Sequence, residues 1–140
     1  MIENNTVKIP LLFSAGGFIY GGIEVFHRGF THISMFIVGG ICFVLIGLSG
    51  RLRVDIPVTV RMLISAVVIT FLEFISGLIV NVWLDSNVWD YSNERFNLMG
   101  QICLKASSIW VFISFAGIYA DVGLRRMMFG ERVRRMRILP

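Results

Sequence analysis

At 140 residues the chain has the length of one domain, and 56% of it is hydrophobic against 16% charged, with a mean hydropathy of +0.76. A soluble domain carries about 25% charged residues, so this composition excludes an ordinary soluble protein and makes lipid the solvent for most of the surface. The formal charge of +4 does not point to nucleic acid, because six of the thirteen basic residues are gathered in one tail instead of being interleaved with aromatics across a polar domain.

Crossing a hydrocarbon core takes roughly 17 to 25 mostly apolar residues, and four segments meet that requirement. The first predicted span covers residues 10–26, with Pro10 at its start, where a missing N–H costs nothing. It reads as a span and not as a cleaved signal peptide, since no small-x-small site follows before Glu24 and three more apolar segments come later. The second span, 33–50, contains no charge; the third covers 62–84 and the fourth 98–120. The fold class is therefore an all-α integral membrane protein, a four-transmembrane-helix bundle. Residues 1–123 form the membrane domain and 124–140 a basic juxtamembrane tail with Arg125, Arg126, Arg132, Arg134, Arg135 and Arg137, which suits anionic lipid headgroups.

Short loops rich in Lys and Arg stay in the cytoplasm. Arg51, Arg53 and Arg61 lie between the second and third spans, and the arginine tail follows the fourth, so both termini are expected in the cytoplasm of a multi-pass plasma-membrane protein. The opposite connections hold only Arg28 and Arg95. Trp83, Trp89 and Tyr91 fall where an aromatic headgroup belt belongs. The same asymmetry argues against a dual-topology exporter.

Charged groups inside spans are functional candidates because insertion penalises them by several kcal/mol. Glu73 and Lys105 are the two clear cases. Glu73, Gly77 and Asn81 share one helical face by spacing, as do Asn97, Gln101, Lys105 and Ser108 on the next span, while the first span adds Gly17, Gly21, Glu24 and Arg28. Two readings stay open: Glu73 and Lys105 form a buried ion pair that fixes helix register, or they belong to a polar cavity in the outer half of the bilayer that binds a ligand or relays protons. Gly17, Gly21, Gly39, Gly40 and Gly47 read as close-packing positions between helices. Cys42 and Cys103 read as buried small hydrophobes. His27 and His32 are five residues apart and lack a third ligand, so no metal is assigned, and no motif calls for a cofactor or identifies a catalytic residue.

The stretches EVFHRGFTHISMFIVGGICFVLIG from Glu24, ITFLEFISGLIVNVW around Glu73 and WDYSNERFNLMGQICLKASSIW from Trp89 to Trp110 resemble a family of small membrane proteins. Its bacterial members are labelled ABC-transporter permeases of the CmpB or type IV class, and its animal relatives are the transmembrane protein 229 group. The resemblance implies a constellation of Glu24, His27, Arg28, Glu73, Asp90, Tyr91, Asn97, Gln101 and Lys105, which the spacing extends to Asn81. The chain contains no P-loop, so an ATPase would be a separate subunit; membrane lipids and a second copy of the chain are the other expected partners. The leading expectation is a transporter or solute-binding membrane component. The alternatives are a membrane enzyme acting on a lipid or lipid-linked substrate, with Glu24, His27 and Asp90 as acid–base groups, and a non-catalytic membrane subunit.

Overall fold

The computed structural model describes residues 5–51, 56–132 and 135–139, with the backbone alone for Asn5, His27 and Arg28. Helices α1 (Asn5–Arg28), α2 (Ile33–Ser49), α3 (Val58–Gly77) and α4 (Leu104–Phe129) make up most of the chain. A π-helical segment, Leu78–Trp83, continues α3, and a two-stranded hairpin, β1 (Asn97–Leu98) and β2 (Ile102–Cys103), precedes α4. Three helical stretches are long and apolar enough to cross a membrane: Thr6–Phe26, Val58–Trp83 and Leu104–Phe129. Helix α2 is apolar but shorter at 17 residues, about 26 Å at 1.5 Å per residue. The protein is thus a helical membrane protein, and its many outward-facing large apolar side chains, such as Phe71, Phe112 and Val67, suit a lipid environment.

Helices α1 and α2 pack closely through glycine. A Cβ on Gly17 would stand 2.7 Å from the Phe36 ring, one on Gly39 2.6 Å from Tyr20 Cβ, and one on Gly40 2.7 Å from the Phe13 carbonyl. The close-packing expectation holds at those three positions. Gly21 is different, since a Cβ there would meet only Thr31 at 3.8 Å, and Gly47 makes room for the Asp121 carboxylate. The central core, where α2, α3 and α4 meet, contains Ile46, Val58, Ala66, Ile69, Trp110 and Ile118.

Two helix ends differ from the hydropathy reading. Helix α1 begins at Asn5, so Pro10 lies inside it and removes one N–H from its hydrogen-bond ladder. The fourth span does not begin at residue 98. Met99 (φ 54°) and Gly100 (φ 72°) adopt left-handed backbone and the Gln101 N–H bonds to the Leu98 carbonyl at 3.1 Å, the geometry of a tight hairpin turn. Helix α4 starts only at Leu104, where Cys103 Sγ accepts the Ala106 N–H at 3.4 Å, and it runs past residue 123 to Phe129.

The two ends of the bundle are chemically distinct. At the loop end, residues 84–103 fold over the π segment. At the tail end, the Val58 N–H donates to the Arg137 carbonyl at 2.7 Å and the Thr59 N–H to the Ile138 carbonyl at 3.2 Å. The tail thereby satisfies first-turn donors of α3 that have no partner within the helix.

Candidate functional site

Glu73 is buried in the upper half of α3, and its two carboxylate oxygens have separate donors. The Tyr91 hydroxyl donates to Oε1 at 3.1 Å and the Trp110 indole Nε1–H to Oε2 at 3.1 Å. The Tyr20 ring stacks on Trp110 with centroids 5.6 Å apart, and its phenol lies beside Glu24, one turn further along α1. Three helices and one loop thus converge on a single carboxylate.

The loop is fixed by amide side chains. Asn81, carried by the π segment, accepts the Val88 N–H at 2.7 Å and the Trp89 N–H at 3.4 Å, while its own amide donates to Gln101 Oε1 at 2.9 Å. The Trp89 indole in turn donates to the Gln101 carbonyl at 2.9 Å. Asn97 brackets the next turn, donating to the Glu94 carbonyl at 2.8 Å and accepting the Gly100 N–H at 3.1 Å. These contacts hold four non-glycine residues, Asp85, Asn87, Phe96 and Met99, at positive φ, a conformation that surrounding structure must enforce.

A cavity of about 240 Å³ opens between α1, α3 and this loop, lined by Tyr20, Glu24, Met35, Glu73, Trp89, Asp90 and Tyr91. Asp90 Oδ1 accepts the Ser92 N–H at 2.9 Å and the Ser92 hydroxyl, bonds that hold its carboxyl below the usual carboxylate range. Burial pushes the Tyr91 phenol up, and the neighbouring Glu73 charge pushes it further, so Tyr91 stays protonated and remains a donor. A second, apolar chamber of about 150 Å³ lies beneath, sharing Tyr20, Met35, Glu73 and Trp89 with the first and reaching down to Ile46 and Ala120. The residues that follow those two, Gly47 and Asp121, line a third cavity of about 420 Å³ at the tail end. The three cavities are stacked along the bundle.

The sequence-predicted residues separate into groups. Glu24, Glu73, Asp90 and Tyr91 come together around the first cavity. Asn81, Asn97 and Gln101 are scaffold, holding the loop that supplies Tyr91. The expected polar stripe of Asn97, Gln101, Lys105 and Ser108 does not exist, because the first two lie in the hairpin and its turn and only the last two are helical. Lys105 sits in the first turn of α4 with its side chain 72% exposed and 4.0 Å from Glu94, so it does not pair with Glu73. The side chains of His27 and Arg28 lie outside the described residues. His32 caps α2, its Nδ1 accepting the Ser34 N–H at 3.1 Å.

Within the tail, Arg125 is buried, its Nε 3.0 and 3.1 Å from the Asp121 oxygens, whereas Arg126, Arg132, Arg135 and Arg137 are exposed and Arg134 lies outside the described residues. Trp83 is exposed, as an interfacial anchor requires, but Trp89 is buried. Sequence reasoning missed Tyr20 and Trp110; the spacing of Tyr20 and Glu24, four residues apart on one helix, was the available signal for the first.

A family model described as "Putative ABC-transporter type IV" matches residues 13–132. Neither a curated protein nor a solved structure matches the chain.

Proposed function

The chain belongs to this ABC-transporter type IV family, and on that premise we propose that it is a membrane-embedded transport component whose loop-end cavity takes up a small organic cation. The observation that carries the reading is the setting of Glu73. Its two donors, a phenol and an indole, orient the carboxylate without cancelling its charge. A cation entering the cavity supplies the opposite charge, and Glu24 and Asp90 add to the field at the entrance. Tyr20, Trp89 and Tyr91 offer aromatic faces of the kind that bind ammonium groups.

In this reading the loop end faces outward and both termini are cytoplasmic, because the arginine-rich connection and tail lie at the opposite end. The solute enters beside Glu73, above the apolar chamber. The energy source is an ATPase on another chain, since this one has no P-loop.

The test is a tryptophan-fluorescence titration of the full chain in neutral-lipid nanodiscs, on a Trp83→Phe background that leaves Trp89 and Trp110 as reporters. The probes are tetramethylammonium, choline and putrescine. Saturable quenching by at least one ion, abolished by Glu73→Gln in a folded variant, is the expected result. Quenching by none of the three, or an unchanged response in Glu73→Gln, sinks the reading.

A further inference from the structure

The tail-end cavity is a second site, of opposite character. Four arginines, Arg51, Arg61, Arg125 and Arg132, line it together with two carboxylates, Asp121 and Glu131. The carboxylates are already engaged. Asp121 is bound by Arg125, and Glu131 takes Lys8 at 2.6 Å, Arg51, and Arg125 at 3.6 Å.

Arg61 feels the Asp121 charge of this network but makes no direct contact with it. It is 6% exposed, yet no carboxylate among the described residues lies within 4.0 Å of its guanidinium. Its Nε donates to Ser49 Oγ at 3.1 Å and one terminal nitrogen to the Ile46 carbonyl at 3.4 Å; among the described residues the other meets only the Met136 thioether at 3.9 Å, a weak acceptor. A buried cation is best stabilised by an anion in direct contact, and this one, which Asp121 reaches only across space, faces a cavity of about 420 Å³. The fold makes room for that placement at Gly50, where a Cβ would stand 2.7 Å from the Arg61 Nη2 atom.

We propose that this cavity binds a phosphoryl group, with Arg61 as its inner ligand and Arg51 and Arg132 closing over it. The planar guanidinium fork matches phosphate oxygens in pairs, and cations arriving from the end of α2, from α3 and from beyond α4 surround a tetrahedral dianion better than a planar carboxylate. The inference is independent of the loop-end cavity. The phosphoryl group belongs either to a free phosphate or to the headgroup of a phospholipid reaching in from the adjacent leaflet.

Two arms separate the sources. In the first, the full chain in neutral-lipid nanodiscs is titrated with inorganic phosphate against chloride at matched ionic strength, and thermal unfolding is followed. In the second, native mass spectrometry follows retention of phosphatidic acid against phosphatidylcholine. A saturable rise in unfolding temperature identifies free phosphate, and selective retention of phosphatidic acid identifies a lipid headgroup; either supports the site. Arg61→Gln should weaken the effect about tenfold, as removal of a charge-assisted hydrogen bond does, whereas Arg95→Gln, an exposed change in the loop at the other end of the bundle, should leave it within about twofold. If Arg61→Gln does not fold, Arg51→Gln must show the loss instead. Absence of both effects, or equal losses in the cavity variants and Arg95→Gln, overturns the proposal.

Discussion

Counted along two ideal spans, Glu73 and Lys105 fall at similar depths, yet one is buried and the other has a side chain 72% exposed. The count fails because α4 begins at Leu104, which puts Lys105 in its first turn, where the long side chain reaches past the helix end. Lys105→Met should therefore alter stability by less than about 0.5 kcal/mol, and its effect should simply add to that of Glu73→Gln. Strong coupling in that thermal-unfolding cycle would contradict the geometry. The partners that matter to Glu73 are Tyr91 and Trp110. Tyr91→Phe and Trp110→Phe each remove a donor from a buried carboxylate, at an expected cost of about 1 to 3 kcal/mol. Unfolding temperatures in one detergent check the order, with both variants below Lys105→Met.

Among the elements, the π segment and the hairpin work as one device. The wider turn of the π segment carries buried Asn81, whose side-chain oxygen accepts the backbone N–H groups of residues 88 and 89. Irregular backbone of this kind is tolerated at a membrane protein's polar interior when side chains satisfy it. Asn81→Leu should free the 84–103 loop, raising its amide hydrogen exchange while α1 and α2 keep their protection. Unchanged exchange in the loop would show that Asn81 is not its clamp. Gly77→Ala tests the same contact from the helix side, because the new Cβ would stand 2.5 Å from Gln101 Oε1 and 3.1 Å from the Trp89 ring. Overpacking of that sort costs about 1 to 3 kcal/mol and should red-shift Trp89 emission as the ring is displaced toward water.

Across the whole molecule, Glu131 joins the start of α1, the end of α2 and the end of α4 through Lys8, Arg51 and Arg125. Burial works to raise its carboxyl pKa, but the hydrogen bonds from Lys8 and Arg51 and the charges of Arg51 and Arg125 outweigh it, and the net position is below the usual 4.5. A carboxyl depressed in the folded state stabilises the fold fully above its unfolded value and loses that contribution as pH falls through the folded one. Thermal stability should thus decline as the medium is acidified below about pH 4.5, and Glu131→Gln should lower the neutral-pH value while flattening that decline. An identical acid slope in the variant would remove Glu131 from the account. The proposed orientation has its own check: single cysteines at Ser92 and Arg126 should be labelled from opposite sides of the membrane, and labelling of both from one side would refute it.

Hydropathy alone determined that lipid is the solvent and roughly where the apolar segments lie, since a scarcity of charge over 17 or more residues depends on composition and not on packing. The arginine asymmetry similarly fixed the expected orientation, and Glu73 stood out because a lone carboxylate in an apolar run is costly wherever it ends up. Its partners were another matter. Whether Gln101 continues a helix or closes a hairpin depends on left-handed backbone at Met99 and Gly100 and on acceptors supplied to Asn81 and Trp89 from across the loop, none of which has a periodicity to read. Lys8, Arg61, Asp121 and Glu131 are likewise separated by long stretches of chain, and the first two and the last read as ordinary flanking charges. Only the antiparallel return of four helices brings them to one end of the bundle, where the low dielectric makes their pairing, and the lack of a direct carboxylate contact at Arg61, matter.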